Sequence, residues 1–234
     1  MAAGFSVAVL MYCVQLSKMH GHIPTTIRTP PLSLAGIHAP EYFYFSSGFV
    51  AMSVLLVACE HLFFSALAPY LPLLSAEEEA ELGLTSSRGT VRLGFLGLAL
   101  TGVLPLQGWG SACSLAHVLA SLAFFMCSIQ YGFKMSHALC SPKLDALPVH
   151  YRNAPLLWYV KCGFLANCFL SFIPAQVLHP GGTPLKPHLG GQEAAEIDAG
   201  GFSQWWMVGS LILYFTCYSA DIFILERSKK GCGK

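Results

Sequence analysis

Residues 43–66 read FYFSSGFVAMSVLLVACEHLFFSA. This run decides the fold because it is apolar along almost its whole length: Glu60 is its one acidic residue, and it contains no Lys or Arg. A helix needs about 20 mostly apolar residues to cross the roughly 30 Å hydrocarbon core of a bilayer. Five further apolar stretches alternate with polar loops. The six predicted spans are 2–17, 43–66, 91–106, 112–133, 155–175 and 203–225. The chain, 1–234, is therefore predicted to be a single all-α, six-span membrane domain.

The composition supports a membrane protein and argues against several function classes. The chain is 54% hydrophobic and 11% charged, whereas soluble proteins average about 25% charged residues. With a net charge of +1 and no basic stripe with interleaved aromatics, a nucleic-acid partner is not expected. No nucleophile elbow, phosphate loop or dinucleotide fingerprint occurs. An enzyme is therefore not favoured, although intramembrane lipid enzymes often use dispersed His, Asp and Glu residues.

The distribution of basic residues predicts the orientation. With the N-terminus inside, the outer loops hold three of the 13 Lys and Arg residues, namely Lys18, Arg28 and Lys186. Cytoplasmic segments of membrane proteins carry the excess of positive charge. Both termini are therefore predicted to be cytosolic, and the first and fifth loops face the lumen or the exterior.

The first loop is rich in Pro, Gly and His. It holds His20-Gly-His22 and ends in Pro40-Glu41 directly before the second span. Pro favours a first helical turn and Glu complements the positive helix end, so this pair is a helix-start signal. Alternatively, Glu41 and the histidines face a lipid headgroup or a metal. Because H-x-H spacing fixes no third ligand, neither a metal site nor a cofactor is predicted.

The same loop carries a motif that resembles a known family. Pro31, Ser33 and Gly36, followed by Pro40-Glu41, are similar to the signature of the DRAM/Frag/Sfk family of six-span membrane proteins. That family includes the damage-regulated autophagy modulators and a Golgi protein needed for GPI-anchor lipid remodelling. The family-like segments elsewhere are His117 to Tyr131, the short loop 107–110, and Trp205 with Leu213 to Asp221. Gln204 stands where the family usually has Glu, so a role that needs a carboxylate there is in doubt.

Three charged residues are predicted to share one depth in the membrane. At about 1.5 Å of rise per residue, Glu60, Lys161 and Asp221 all fall in the inner third of the bilayer. Ionisable residues inside a membrane are costly and suggest function. One hypothesis is a single network that locks spans two, five and six together. The alternative is that each side chain snorkels to the nearby interface.

A second polar group is predicted near the outer leaflet. His117 lies about five residues inside the lumenal end of span four. Glu41, Gln204 and Trp205 could join it there in a lipid pocket. Alternatively, His117 is a packed, hydrogen-bonded residue, and the tryptophans form an interfacial belt.

Two local patterns predict details of local structure and carry no prediction about function. Ser75 and Glu78 match a capping box that begins a short acidic helix. Gly94, Gly97 and Gly102 give the third span a small-residue face for close helix approach.

The resemblance implies two functions of different classes. The first is a non-enzymatic regulator of autophagy, lysosomal or membrane-lipid processes in the lysosome, Golgi or ER. The second is a participant in GPI-anchor or lipid remodelling, with a lipid pocket. Membrane lipids and other membrane proteins are the expected partners. A channel is the weakest alternative, since no inverted repeat or broken helix pair is found. Convergence of Glu41 and His117 on one lipid-accessible cavity would favour remodelling.

Overall fold

The computed structural model describes residues 2–73, 75–106, 111–139, 155–178 and 191–232. Within these ranges the chain is all-α and contains no strand, which confirms the predicted fold class. The α-helices are α1 (Ala2–Met19), α2 (Glu41–Leu67), α3 (Ala76–Leu82), α4 (Leu84–Val103), α5 (Ala112–Leu139), α6 (Pro155–Leu178) and α7 (Gly191–Cys232), and short 3-10 helices cover Leu32–Gly36 and Ala68–Leu73.

Four of the described helices are long and apolar enough to cross a membrane. Their candidate spans are Glu41–Leu71, Ala112–Ala138, Leu156–Ala175 and Gln192–Arg227. Helix α1 holds a shorter apolar run, and α4, which carries Arg88 and Arg92 in its first half, does not belong to the four. The structure thus supports a multi-pass membrane protein. Membrane crossing by α1 and α4 and the cytosolic position of the termini stay predictions.

The six long helices follow the order of the predicted spans, but two of them start earlier. Helix α4 begins at Leu84 instead of residue 91, because Gly83 at φ +63° ends α3 and at once begins α4. Helix α7 begins at Gly191 instead of residue 203 and has 42 residues. At about 1.5 Å per residue it is about 63 Å long, twice the hydrocarbon thickness. The predicted turn at 107–110 lies outside the described residues.

The short acidic helix α3 has the predicted capping box. The Ser75 hydroxyl accepts the Glu78 backbone N–H at 3.2 Å. In return the Glu78 carboxylate accepts the Ser75 N–H at 2.8 Å. Two backbone donors that the helix start leaves unpaired are satisfied in this way.

Helix packing divides the bundle into pairs. Helix α4 packs on α5, α6 packs on α7, and α2 contacts α1, α4 and α7. The α4–α5 contact depends on small residues: a Cβ added to Gly97 would lie 2.6 Å from the Ala120 carbonyl oxygen and 3.0 Å from the Phe124 nitrogen. Outward faces carry large apolar side chains, such as Leu119, Leu170 and Phe223, which suit a lipid environment.

Candidate functional site

A long apolar cavity of about 650 Å³ lies between the α4–α5 pair and the α6–α7 pair, beside α2. Its wall runs from Phe45 to Leu62 along α2 and from Gln204 to Ser219 along α7. At about 1.5 Å per residue these stretches are about 25 Å and 22 Å long. The cavity is therefore nearly as long as the hydrocarbon core of a bilayer is thick, which is roughly 30 Å.

The cavity opens towards the outside of the bundle. Leu55, Leu62 and Leu122 all line it, yet their exposed fractions are 37%, 57% and 40%. The deeper wall is aromatic and aliphatic, with Phe124 and Leu211 buried on opposite sides. A bound molecule could thus enter from the lipid phase without crossing water.

His117 is the ionisable imidazole on the cavity wall, and it is 5% exposed. Its Nδ1 lies 2.6 Å from the Leu104 carbonyl oxygen. Because a carbonyl can only accept, Nδ1 carries the hydrogen and Nε2 is left as an acceptor. Leu104 directly follows α4, whose last carbonyls need partners from outside the helix. His117 is therefore hydrogen-bonded and packed, as one of the two interpretations predicts, and it also lines the cavity.

Gln204 and Trp205 fasten the first loop (residues 20–40) onto α7. The Gln204 Oε1 accepts the Leu32 backbone N–H at 3.1 Å, and the Trp205 indole donates to the Pro30 carbonyl at 3.0 Å. Gln204 also lines the cavity. Trp205 is not among the described lining residues and contributes by holding the loop.

The family-like loop motif has mainly architectural positions in this fold. Pro31 precedes the first 3-10 helix, and Pro40 follows a cis peptide bond and precedes α2. A Cβ added to Gly36 would lie 2.4 Å from the Phe45 ring, so a glycine is needed there for close approach. Ser33 is the member of this motif that lines the cavity.

Glu41 belongs to a separate histidine cluster. Its side chain is fully buried, and its Oε1 lies 2.8 Å from His20 Nδ1 and 3.0 Å from His22 Nδ1. The His38 ring lies against that of His22, with centroids 4.6 Å apart and the rings tilted by 40°. Glu41 is not among the cavity-lining residues that the structure describes. The four predicted pocket residues are therefore divided: His117 and Gln204 reach the cavity, while Glu41 turns to the histidines and Trp205 to the loop.

The predicted network of charged residues is present only in part: Lys161 and Asp221 meet as predicted, whereas Glu60 has other partners. Lys161 of α6 pairs with Asp221 of α7, and both are buried. Glu60 of α2 instead accepts hydrogen bonds from Arg88 at 2.7 Å and from Arg92 at 3.0 Å, both on α4. In place of one three-residue network, the described residues form one link between α6 and α7 and another between α2 and α4. Equal depth did not decide the partners, because residues at one depth can point in different directions around their helices.

Several residues that organise these sites were not identified from the sequence. Asp198 accepts backbone N–H groups of the first loop, and the arginines of α4 neutralise Glu60. The sequence held one signal for these arginines: they lie near the start of the third predicted span, at a depth that matches that of the unpaired acid Glu60 in the second span. No local signal marked Asp198.

Comparison with known proteins adds no relative. The sequence matches no family model, and neither the curated proteins nor the solved structures contain a significant match.

Proposed function

We propose that this chain is a multi-pass membrane protein that binds a membrane lipid, with an acyl chain in the cavity between α2, α5 and α7. The shape of the cavity carries the proposal. It is long, apolar and open to the outer face of the bundle. Its volume lies within the roughly 300–1,000 Å³ of typical ligand sites. An acyl chain is the membrane component that matches a narrow apolar space about 22–25 Å long.

The two ends of the cavity differ from its middle. His117, Gln204 and Ser33 lie on the wall at the end near the first loop, and Thr216 and Ser219 lie at the other end. An apolar site with a few polar groups can fix the orientation of a ligand. We place the ester or headgroup of the lipid near His117 and Gln204. With both termini cytosolic and six spans, this end would lie in the lumenal leaflet.

The lining favours binding over catalysis. The described residues of the wall include no Asp, Glu, Lys or Arg, so the free Nε2 of His117 has no charged partner among them for general acid–base catalysis at a lipid ester. We therefore propose a non-enzymatic, lipid-binding regulator of an endomembrane, of the DRAM/Frag/Sfk type. Participation in GPI-anchor or lipid remodelling is the alternative.

The test compares two neighbouring positions on α7. Ile212 lines the cavity, whereas Leu213 is 48% exposed and is not a described lining residue. Full-length wild type, Ile212→Trp and Leu213→Trp are purified in lipid nanodiscs, and bound lipid is measured by native mass spectrometry. We expect wild type and Leu213→Trp to retain one lipid per chain and Ile212→Trp to lose it, since the indole occupies the cavity.

The outcomes separate the possible functions. A folded wild-type protein without a specific lipid, or equal retention by both Trp variants, overturns the lipid-binding proposal. A retained lipid that is recovered chemically unchanged supports a regulator. Conversion of a retained lipid by wild type, lost in Ile212→Trp, supports lipid remodelling instead.

A further inference from the structure

The cluster of His20, His22 and Glu41 converges on one point, with the two histidines from the first loop and Glu41 from the start of α2. One ligand atom from each of the three residues lies within 4.8 Å of the other two, and both Nδ1 nitrogens lie within 3.0 Å of the Glu41 Oε1. We propose that these three residues form a binding site for a divalent transition-metal ion, with Zn²⁺ as the reference ion. The site is separate from the lipid cavity and does not depend on lipid binding.

The local backbone explains why the two histidines point the same way. Helix α1 ends in a Schellman motif: the His22 N–H bonds the Ser17 carbonyl at 2.9 Å, and the Gly21 N–H bonds the Lys18 carbonyl at 3.1 Å. Gly21 has φ +73°, a left-handed conformation that a glycine adopts without strain. This turn places the imidazoles on either side of Gly21 against the first residue of α2.

The free oxygen of Glu41 is a second and independent indication of a ligand. Glu41 is 0% exposed, yet its Oε2 has no hydrogen-bond partner. A buried carboxylate oxygen without a partner carries a desolvation cost, and such groups are rare in native proteins. A bound cation would neutralise the carboxylate, and coordination by both of its oxygens would also satisfy Oε2.

The distances suit a small transition-metal ion. Zinc bonds to His nitrogen and carboxylate oxygen are about 2.0–2.2 Å, so ligand atoms in a tetrahedral site lie about 3.4 Å apart. The two Nδ1–Oε1 separations are 2.8 and 3.0 Å. If each Nδ1–Oε1 separation increased by about half an ångström, a metal ion could lie between these atoms. The two hydrogen bonds would then be replaced by bonds from the metal to each Nδ1 and to Oε1. Each neutral imidazole then carries its hydrogen on Nε2 in place of Nδ1.

The donor set also indicates the class of metal. Two imidazoles and one carboxylate are typical of zinc and of other first-row transition metals, whereas Ca²⁺ and Mg²⁺ prefer oxygen-only sites. The His20 and His22 side chains are 40% and 30% exposed, which provides an entry path from water. With three protein ligands, one coordination position is left for water or another exogenous oxygen.

The first experiment titrates Zn²⁺ and Co²⁺ into the full-length, chelator-treated protein in nanodiscs. Calorimetry gives stoichiometry and affinity, and the visible absorption of Co²⁺ reports its coordination geometry. We expect one metal per chain, and an affinity lowered about 100-fold or more by His22→Ala or by the isosteric Glu41→Gln, since even indirect ligand support is typically worth 10–100-fold. His137→Ala is the matched control, because His137 is an exposed histidine far along α5.

A second measurement on the unmodified sequence keeps the proposal testable if a variant does not fold. Histidine-specific acylation is followed by mass spectrometry with and without Zn²⁺. We expect Zn²⁺ to protect His20 and His22 while His137 stays reactive. Absence of stoichiometric binding by the folded wild type, equal binding by Glu41→Gln, or equal reactivity of His20 and His22 with and without zinc overturns the metal site. None of these outcomes bears on the lipid cavity.

Discussion

The Asp198 carboxylate of α7 accepts the backbone N–H of Thr29 at 2.8 Å, although the two residues are 169 positions apart. The same oxygen accepts the Arg28 N–H at 2.7 Å, and the Thr29 hydroxyl donates to the Asp198 carbonyl at 2.8 Å. Pro30 is held two turns further along α7 by Trp205. One face of α7, from Asp198 before the predicted span to Trp205 just inside it, thus positions the loop that supplies both the cavity end and the histidine cluster.

Substitution of Asp198 should release this loop. Hydrogen bonds to a charged acceptor contribute about 1.5–3 kcal/mol each, and Asp198→Ala removes two of them from consecutive backbone amides. We expect faster amide deuterium uptake across residues 26–33, with little change in α5 or α6, measured by hydrogen-exchange mass spectrometry. Glu196→Ala is the control, since Glu196 is exposed on the same helix and bonds only locally to Gln192 in the described contacts. Equal uptake in the two variants would show that Asp198 does not hold the loop.

The separation of the cavity from the histidine cluster predicts two independent losses. His117→Leu removes the donor to the Leu104 carbonyl and a polar group from the cavity wall, so we expect less bound lipid and unchanged metal affinity. Glu41→Gln should do the reverse. Lipid mass spectrometry and zinc titration on the same preparations measure both effects. If each variant lost both ligands, the two sites would be one functional unit.

The buried pair Lys161–Asp221 should behave as a coupled unit. Removing one partner of a buried ion pair typically costs about 3–5 kcal/mol, because the remaining charge is left uncompensated. We expect Lys161→Ala and Asp221→Ala each to lower the unfolding temperature strongly, and the double variant to be less destabilised than the sum of the two. Thermal unfolding in detergent measures this cycle.

Double-mutant cycles of the same kind test which residue is the partner of Glu60. Coupling between Glu60→Gln and Arg92→Ala should exceed coupling between Glu60→Gln and Lys161→Ala, because the Glu60 carboxylate lies 3.0 Å from Arg92. The opposite ranking would restore the single network of Glu60, Lys161 and Asp221.

Gly97 provides a test of the α4–α5 contact. A methyl group at this position would press on backbone atoms of α5, and overpacking of this kind costs about 1–3 kcal/mol. We expect Gly97→Ala to lower the unfolding temperature. Gly89→Ala, on the same helix but with no atom within 4 Å of the added Cβ, should leave it unchanged or raise it. Similar behaviour of the two variants would contradict the close approach.

The sequence by itself determined the features that depend on short stretches of chain. Hydrophobic runs predicted the six long helices in order, Pro40-Glu41 predicted the start of α2, and Ser75 with Glu78 predicted the capping box. Helix formation and transfer into an apolar phase are governed by nearby residues and by the length of the run. These features therefore need no knowledge of how one helix sits against another.

The tertiary structure alone decided which residues meet. Depth along a helix follows from counting residues, but the direction of a side chain depends on how each helix is rotated and shifted against its neighbours. For this reason Glu60 meets the arginines of α4 while Lys161 meets Asp221, and Glu41 supplies the third member that His20-Gly-His22 lacked. The cavity is likewise a space between helix pairs, which no single segment encodes.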